Sequence, residues 1–237
     1  MKFSTKLMLR KIKGNIGQEY LPIILPKTTK LLIKYLKKAE PAKVLEIGTG
    51  IGYSTCCILS TLPRCHVTCV EKDEMRLSRA IYNFRKYGFF DRICAINGDA
   101  KQALFSIDNK FDFIFLDSDE SQYIDFLPEL NRLLKEGGIL FADNIAIKYL
   151  YDGDEIHMQE REDKIVKKYL KAVQQMPFET KIYNIESGIA VTKKVKEMSL
   201  TSSKKKNLIK KTNKGKNKKG FKSRSKNKQD VKTPVKK

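Results

Sequence analysis

Along this chain, short runs of apolar residues are followed repeatedly by longer segments in which apolar residues recur every three or four positions. The short runs predict strands, and the longer segments predict helices. Predicted strands cover residues 43–47, 66–71, 92–96, 111–116, 139–142, 179–185 and 189–193, and predicted helices cover residues 28–38, 53–62, 73–87, 100–107, 123–135 and 155–176. Strands that alternate with helices indicate a parallel sheet with right-handed crossovers and helices on both faces.

The end of the pattern differs from the rest. The last two predicted strands follow each other directly and are joined by Glu186-Ser187-Gly188, which is a hairpin signal. The sequence therefore predicts an α/β, Rossmann-like fold with a mostly parallel seven-stranded sheet and a terminal antiparallel hairpin. In such a sheet ligands bind at the carboxyl ends of the strands, so we expect the functional residues at the strand tips.

Three glycines follow the first predicted strand at alternate positions, Gly48, Gly50 and Gly52. Glycines at a strand-to-helix turn let a ligand approach the backbone, and the helix N-terminus offers free N–H groups to that ligand. The dinucleotide spacing is G-x-G-x-x-G, whereas this chain has G-x-G-x-G preceded by Glu46. Glu71, at the tip of the second strand, can accept hydrogen bonds from the ribose of either NAD or S-adenosyl-L-methionine (SAM). The glycine spacing together with Glu46 favours SAM, so Glu46, Gly48 and Glu71 are predicted cofactor-binding residues.

Acidic and amide side chains also follow two later strands. Asp117 ends the strand at 111–116, and Asp143 and Asn144 end the strand at 139–142. Two carboxylates and an amide oxygen form an oxygen-only ligand set suited to Mg²⁺, which can hold two neighbouring substrate oxygens and lower the pKa of one. Asp99 is open to a simpler interpretation, because an Asp directly before the helix that begins at Ala100 can serve only as its N-cap.

At these strand ends the chain resembles a known family. F-D-F-I-F-L-D at 111–117 and G-G-I-L-F-A-D-N at 137–144 resemble the metal-dependent class I O-methyltransferases, the family of catechol and caffeoyl-CoA methyltransferases. The likeness runs from about Tyr20 to Lys194 and implies a class I methyltransferase fold with SAM and Mg²⁺ as cofactors. The SAM-site residues implied by the resemblance are Ile24, Ser54, Glu71, Gly98, Asp99, Ala100 and Asp117, and the implied metal ligands are Asp117, Asp143 and Asn144.

Within this family the chain is similar to the bacterial tRNA 5-hydroxyuridine methyltransferases, in Leu21-Pro22-Ile23, Val44–Thr55, Asp154–Lys171 and Gly188–Val191. That resemblance implies methyl transfer to the 5-hydroxyl of a wobble uridine, giving 5-methoxyuridine, with tRNA as the partner. Two alternatives remain open. The same chemistry could act on a small catechol-like phenol, or the chain could be a non-catalytic RNA-binding protein on the same scaffold.

One position departs from the family pattern. Family members usually carry a lysine three residues after the first metal aspartate as the general base, and this chain has Glu120 there. Glu120 could accept the proton, the metal alone could acidify the hydroxyl, or Glu120 could be a solvated surface residue. Lys148 is another candidate base, with an exposed loop lysine as the simpler interpretation. The catalytic residue is therefore left unassigned.

Charge is distributed unevenly along the 237 residues, whose formal net charge is +21. Residues 201–237 contain sixteen Lys or Arg residues, one acid and five apolar residues. Such a segment cannot bury enough surface to offset its ordering entropy. We therefore predict a methyltransferase domain at 1–195 and a disordered, Lys-rich tail at 196–237. A flexible cationic chain binds polyanions through counterion release, which fits tRNA as a partner for the tail and the basic surface.

Cysteine usage and hydropathy bear on the compartment. The number of cysteines, five, is odd, and we interpret them as reduced thiols, which favours a cytoplasmic location. No apolar run is long enough to span a bilayer, and the N-terminus lacks the apolar core of a signal peptide. We expect a protein without a membrane partner. A homodimer is compatible with the sequence, which does not fix the oligomeric state.

Overall fold

The computed structural model describes residues 3–14, 23–145, 155–175 and 177–196. The helices are α1 Phe3–Gly14, α2 Pro26–Ala39, α3 Tyr53–Thr61, α4 Glu74–Lys86, α5 Ala100–Ser106, α6 Tyr123–Leu133 and α7 Glu155–Val173. The strands are β1 Lys43–Ile47, β2 His66–Glu71, β3 Ile93–Asn97, β4 Phe111–Leu116, β5 Leu134–Ala142, β6 Phe178–Tyr183 and β7 Ile189–Lys194. Short 3₁₀ turns cover Phe90–Arg92 and Glu120–Gln122.

The seven strands form one sheet in the order β3-β2-β1-β4-β5-β7-β6. Strands β1 to β5 pair in parallel, and β7 pairs antiparallel with both β5 and β6. This confirms the predicted α/β fold with its terminal antiparallel hairpin. The strand order reverses between β1 and β4, which is where open α/β sheets form their ligand crevice.

Each face of the sheet carries its own hydrophobic layer. Successive side chains of a strand point to opposite faces, so Val44 packs into the layer that also holds Leu32, whereas Leu45 packs into the layer that holds Tyr169. The first layer is formed by α1 to α4, and the second by α5 to α7. The central strands are buried from both sides and therefore hold their carboxyl ends at fixed positions.

The structure changes one predicted boundary in a way that matters for packing. The helix predicted at 123–135 ends at Leu133, and the strand predicted to begin at Ile139 begins at Leu134. Leu134 pairs with Phe111, and the pairing then shifts so that Phe113 lies beside Ile139. Leu134 fits the apolar period of the helix. The sequence therefore could not reveal that this buried residue belongs to a strand and pairs with Phe111.

Other predicted boundaries lie within a few residues of the observed ones. The prediction of the basic tail lies outside the described residues from position 197 onward. In the part of the chain that the structure describes, every helix is too short or too polar to cross a membrane.

Candidate cofactor and metal site

A cavity of about 570 Å³ opens at the carboxyl ends of the central strands. Its volume lies within the range of small-molecule and cofactor sites. Of the predicted site residues, those that line the cavity are Ile24, Gly48, Ser54, Glu71, Gly98, Asp99, Ala100, Asp117, Asp143 and Asn144. The fold therefore brings together side chains from both halves of the predicted site, although they are up to 120 positions apart in the sequence.

Gly48 allows β1 and β4 to approach each other at the floor of this cavity. Its φ is +91°, and a Cβ atom there would overlap the carbonyl group of Asp117. The Gly48 N–H donates to the carbonyl of Val70 at 3.0 Å, which ties the loop to β2 as well. Only glycine meets both the left-handed backbone and the close approach without strain.

Glu71 supports the glycine loop from the tip of β2. One carboxylate oxygen accepts a hydrogen bond from Gly50 N–H at 2.7 Å, and the other accepts one from Asp73 N–H at 3.0 Å. Each carboxylate oxygen can accept a further hydrogen bond. Glu71 thus shapes the loop and still has acceptor capacity for the hydroxyl groups of a ligand in the cavity.

Glu46 lies beneath the loop, and it is fully buried and absent from the cavity lining. The Thr55 hydroxyl donates to one of its carboxylate oxygens, and the other oxygen has no hydrogen-bond partner among the described residues. Burial raises the pKa of Glu46 to about 7, against the opposing effect of the nearby Ser54 and Thr55 hydroxyl groups. Glu46 therefore connects β1 to the first turn of α3 under the cofactor loop.

Asp117, Asp143 and Asn144 meet where β4 and β5 end. The Asn144 amide donates to Asp117 Oδ1 at 3.0 Å, and the Asn144 N–H donates to Asp143 Oδ1 at 2.8 Å. Asn144 has a φ of +60°, a left-handed backbone conformation that Asn tolerates better than most residues.

Among the described residues, burial and neighbouring carboxylates are the main causes that raise the pKa values of the two carboxyl groups. Burial, followed by the charges of Asp143 and Glu46, raises the pKa of Asp117 to about 8, and burial also raises the pKa of Asp143. The hydrogen bonds that lower these pKa values come from neutral donors, Asn144 and Ser187. Two acidic groups and an amide gathered in this way suit a hard divalent cation, which would offset their mutual repulsion.

Within the described ranges, no three His, Cys, Asp or Glu side chains lie together in a way that could hold one metal ion. The third member of this trio is an amide, so the trio offers two carboxylates only. Metal binding by Asp117, Asp143 and Asn144 therefore stays a prediction, and their oxygen donors are compatible with a divalent cation.

The remaining candidates for cofactor binding or for the general base are Asp99, Glu120 and Lys148. Asp99 caps α5, since its Oδ1 accepts from Lys101 N–H at 2.9 Å, and it also lines the cavity. Glu120 begins the 3₁₀ turn after β4 and is partly buried outside the cavity lining, although its charge raises the pKa of both Asp117 and Asp143. Lys148 lies outside the described residues.

The tip of the β6–β7 hairpin is a part of the site that sequence reasoning recognised only as a turn. The Ser187 hydroxyl donates to Asp143 Oδ1 at 2.7 Å. The neighbouring Glu186 accepts from the N–H groups of Lys27 at 2.9 Å and Thr28 at 2.7 Å, and thereby caps α2. The segment just before α2 includes Ile24, which lines the cavity. The hairpin thus joins one wall of the cavity to the acidic trio.

Replacing Glu186 with alanine should weaken SAM binding about fivefold, because removal of the cap at the exposed N-terminus of α2 costs roughly 1 kcal/mol. Titration calorimetry measures the change in affinity. Glu186→Gln keeps a side-chain oxygen acceptor and should recover part of the loss. Glu179→Ala removes an exposed glutamate from the same hairpin and serves as the matched control. Equal SAM affinity for the Glu186→Ala and Glu179→Ala variants would contradict a positioning role for Glu186.

The seven-stranded sheet and the cavity at its switch point define the Rossmann-like methyltransferase class. A family model described as O-methyltransferase matches residues 8–210, and the chain belongs to this family.

Similar proteins include tapetum-specific methyltransferase 1 of Arabidopsis thaliana, with 31% identity over 55% of this chain and 57% of that protein. A provisionally named caffeoyl-CoA O-methyltransferase of the same organism is 26% identical over 77% of this chain and 81% of that protein. Among solved structures, the O-methyltransferase from Bacillus cereus in complex with SAH superposes with a TM-score of 0.69 at 21% identity, covering 83% of this chain and 92% of that one. The match to tapetum-specific methyltransferase 1 thus spans little more than half of that relative.

Proposed function

We propose that this protein is a SAM- and Mg²⁺-dependent O-methyltransferase that methylates the 5-hydroxyl of 5-hydroxyuridine at the tRNA wobble position. The observation that carries the proposal is that one cavity holds both the glycine loop with Glu71 and the trio of Asp117, Asp143 and Asn144. A cofactor half and an oxygen-ligand half in one cavity would bring a methyl donor close to an oxygen nucleophile.

The two halves have distinct tasks. The loop glycines leave the backbone open to the cofactor, and Glu71 accepts from its ribose hydroxyl groups. Asp117, Asp143 and Asn144 would hold a divalent cation, which lowers the pKa of a bound hydroxyl group. When bound, SAM would supply the methyl group and leave as S-adenosyl-L-homocysteine (SAH), while the substrate hydroxyl oxygen would gain the methyl group and lose its proton to solvent.

The proposed substrate, which the resemblance to tRNA 5-hydroxyuridine methyltransferases implies, is chemically compatible with such a site. The 5-hydroxyl and the O4 carbonyl of 5-hydroxyuridine are neighbouring oxygens that can bind one cation together, as the two oxygens of a catechol do. The cationic composition of the chain favours the RNA substrate over a small phenol. A small phenol remains the second candidate, because a similar protein is named for caffeoyl-CoA.

The test is methyl transfer by the purified full-length protein to tRNA that carries 5-hydroxyuridine, followed by mass spectrometry of the nucleosides. We expect 5-methoxyuridine to form only when SAM and Mg²⁺ are both present. Methylation of a catechol without methylation of the tRNA would assign the small phenol instead. Absence of any rise in melting temperature on addition of SAM, together with retained RNA binding, would favour a non-catalytic RNA-binding protein.

A further inference from the structure

Positive charge in the first 200 residues is concentrated on the two N-terminal helices. Helix α1 carries four basic residues and α2 carries five, and neither helix contains an acid. Residues 1–200 contain 32 basic and 26 acidic residues, so acids outnumber bases by three outside these helices. Charge segregated in this way marks a surface for a polyanion more strongly than a basic composition alone.

The lysines of α2 form a row on one side of the helix. Lys27, Lys30, Lys34 and Lys37 are all exposed and follow one another at intervals of three or four residues. Such positions share one face of a helix. At 1.5 Å per residue the row extends over about 15 Å, and Lys38 lies beside its end. We name these five side chains the lysine row.

The lysine row begins at the cavity. Leu25, which immediately precedes α2, lines the cavity together with Asp143 and Asn144. Glu186 accepts from the N–H groups at the start of α2, and Ser187 next to it donates to Asp143. Two adjacent hairpin residues therefore link the first lysine of the row to the proposed metal site.

The apolar face of α2 is not available to a membrane. Leu32 and Leu36 are fully buried in the layer against the sheet, whereas a helix that binds at a lipid surface inserts its apolar face between the lipids. A single row of cations on the side of the helix opposite these buried leucines fits the phosphate groups of one nucleic-acid strand better than it fits a lipid plane.

We propose that the lysine row binds the phosphate backbone of the RNA segment that flanks the target nucleotide, an inference that rests on the proposed tRNA substrate. The row carries no base-reading groups, so it sets the position of the strand and leaves selection of the nucleotide to the cavity. Helix α1, whose four cations are exposed, packs into the same hydrophobic layer as α2 and adds positive charge to that side of the sheet.

The experiment compares full-length protein with the variant Lys30→Gln/Lys34→Gln/Lys37→Gln, using an anticodon stem-loop RNA that carries 5-hydroxyuridine. Fluorescence anisotropy across a salt series should show a slope of log Kd against log salt concentration that is lower by about 2, because each lost single-strand phosphate contact removes about 0.7. The KM for the RNA should rise at least fivefold, with kcat and the affinity for SAM unchanged.

The matched control, Lys101→Gln/Lys110→Gln/Lys168→Gln, removes three exposed lysines associated with α5, the following loop and α7. If both variants change the slope equally, or if neither does while methyl transfer persists, the lysine row has no specific role and the proposal is overturned. Loss of binding to phosphatidylserine vesicles with unchanged RNA binding would overturn it in favour of lipid. Failure of the unaltered protein to methylate the RNA is a separate outcome, which refutes the proposed function.

Discussion

Asp143→Asn should lower the rate constant for methyl transfer by about 10²–10³-fold while SAM affinity stays within twofold of the unaltered value. The substitution removes one of the two charges that would hold the cation, whose contribution to the barrier is worth several kcal/mol. Asparagine keeps the size of the side chain, and its amide oxygen can still accept from Ser187, which donates to Asp143 at 2.7 Å. The fold should therefore persist, and single-turnover kinetics over a Mg²⁺ titration measure the loss.

The matched control for this prediction is Asp125→Asn, which neutralises an exposed aspartate on α6. It should leave both the rate and the Mg²⁺ dependence unchanged. A chelator added to the unaltered protein should reproduce the rate loss of Asp143→Asn, and Mg²⁺ should reverse it. Full transfer by the Asp143→Asn protein, with its Mg²⁺ dependence intact, would show that Asp143 is not a metal ligand.

Gly48→Ala should destabilise the domain by about 3–5 kcal/mol, because the new Cβ atom both occupies a left-handed backbone position and overlaps a neighbouring strand. The overlapped atoms are the backbone carbonyl of Asp117, which cannot rotate away as a side chain could. Relief therefore requires β1 and β4 to separate at the floor of the cavity. Urea unfolding in the absence of SAM gives the change in free energy.

The variant Gly50→Ala separates the cost of the left-handed backbone conformation from the cost of the overlap with the neighbouring strand. Gly50 also has a positive φ, of +54°, but a Cβ atom there would meet nothing within 4 Å. It should cost only about 1–2 kcal/mol, the price of the left-handed conformation. If Gly48→Ala and Gly50→Ala proteins unfold at the same urea concentration with equal m-values, the close approach of β1 and β4 does not account for Gly48.

The part of this site that could be predicted from the sequence consists of residues at the ends of predicted strands. Gly48 follows the first strand and Glu71 ends the second, so their places at adjacent strand tips could be predicted from periodicity and from the general position of ligands in parallel sheets. Asp143 and Asn144 were predictable for the same reason. Asp99 was correctly recognised as a candidate N-cap because capping depends on residues only two or three positions apart.

The hairpin tip could not be predicted in the same way. Glu186 caps a helix whose first residues lie 158 and 159 positions earlier, and nothing in Glu186-Ser187-Gly188 distinguishes that role from an ordinary turn. Glu46 presents the opposite case. Its spacing from the glycines suggests cofactor contact, but in the structure it lies under the loop, with its carboxylate hydrogen-bonded by Thr55.

The sequence by itself determined the succession of strands and helices along the chain from α2 onward, the glycine loop and the acidic residues at the strand ends, because each of these depends on local periodicity and backbone freedom. Only the tertiary structure decided that β5 begins at Leu134, that Glu46 is sealed beneath the loop, and that the hairpin ties α2 to Asp143. These features depend on contacts between residues far apart in the chain. Strand pairing and burial select such contacts, and no local pattern encodes them.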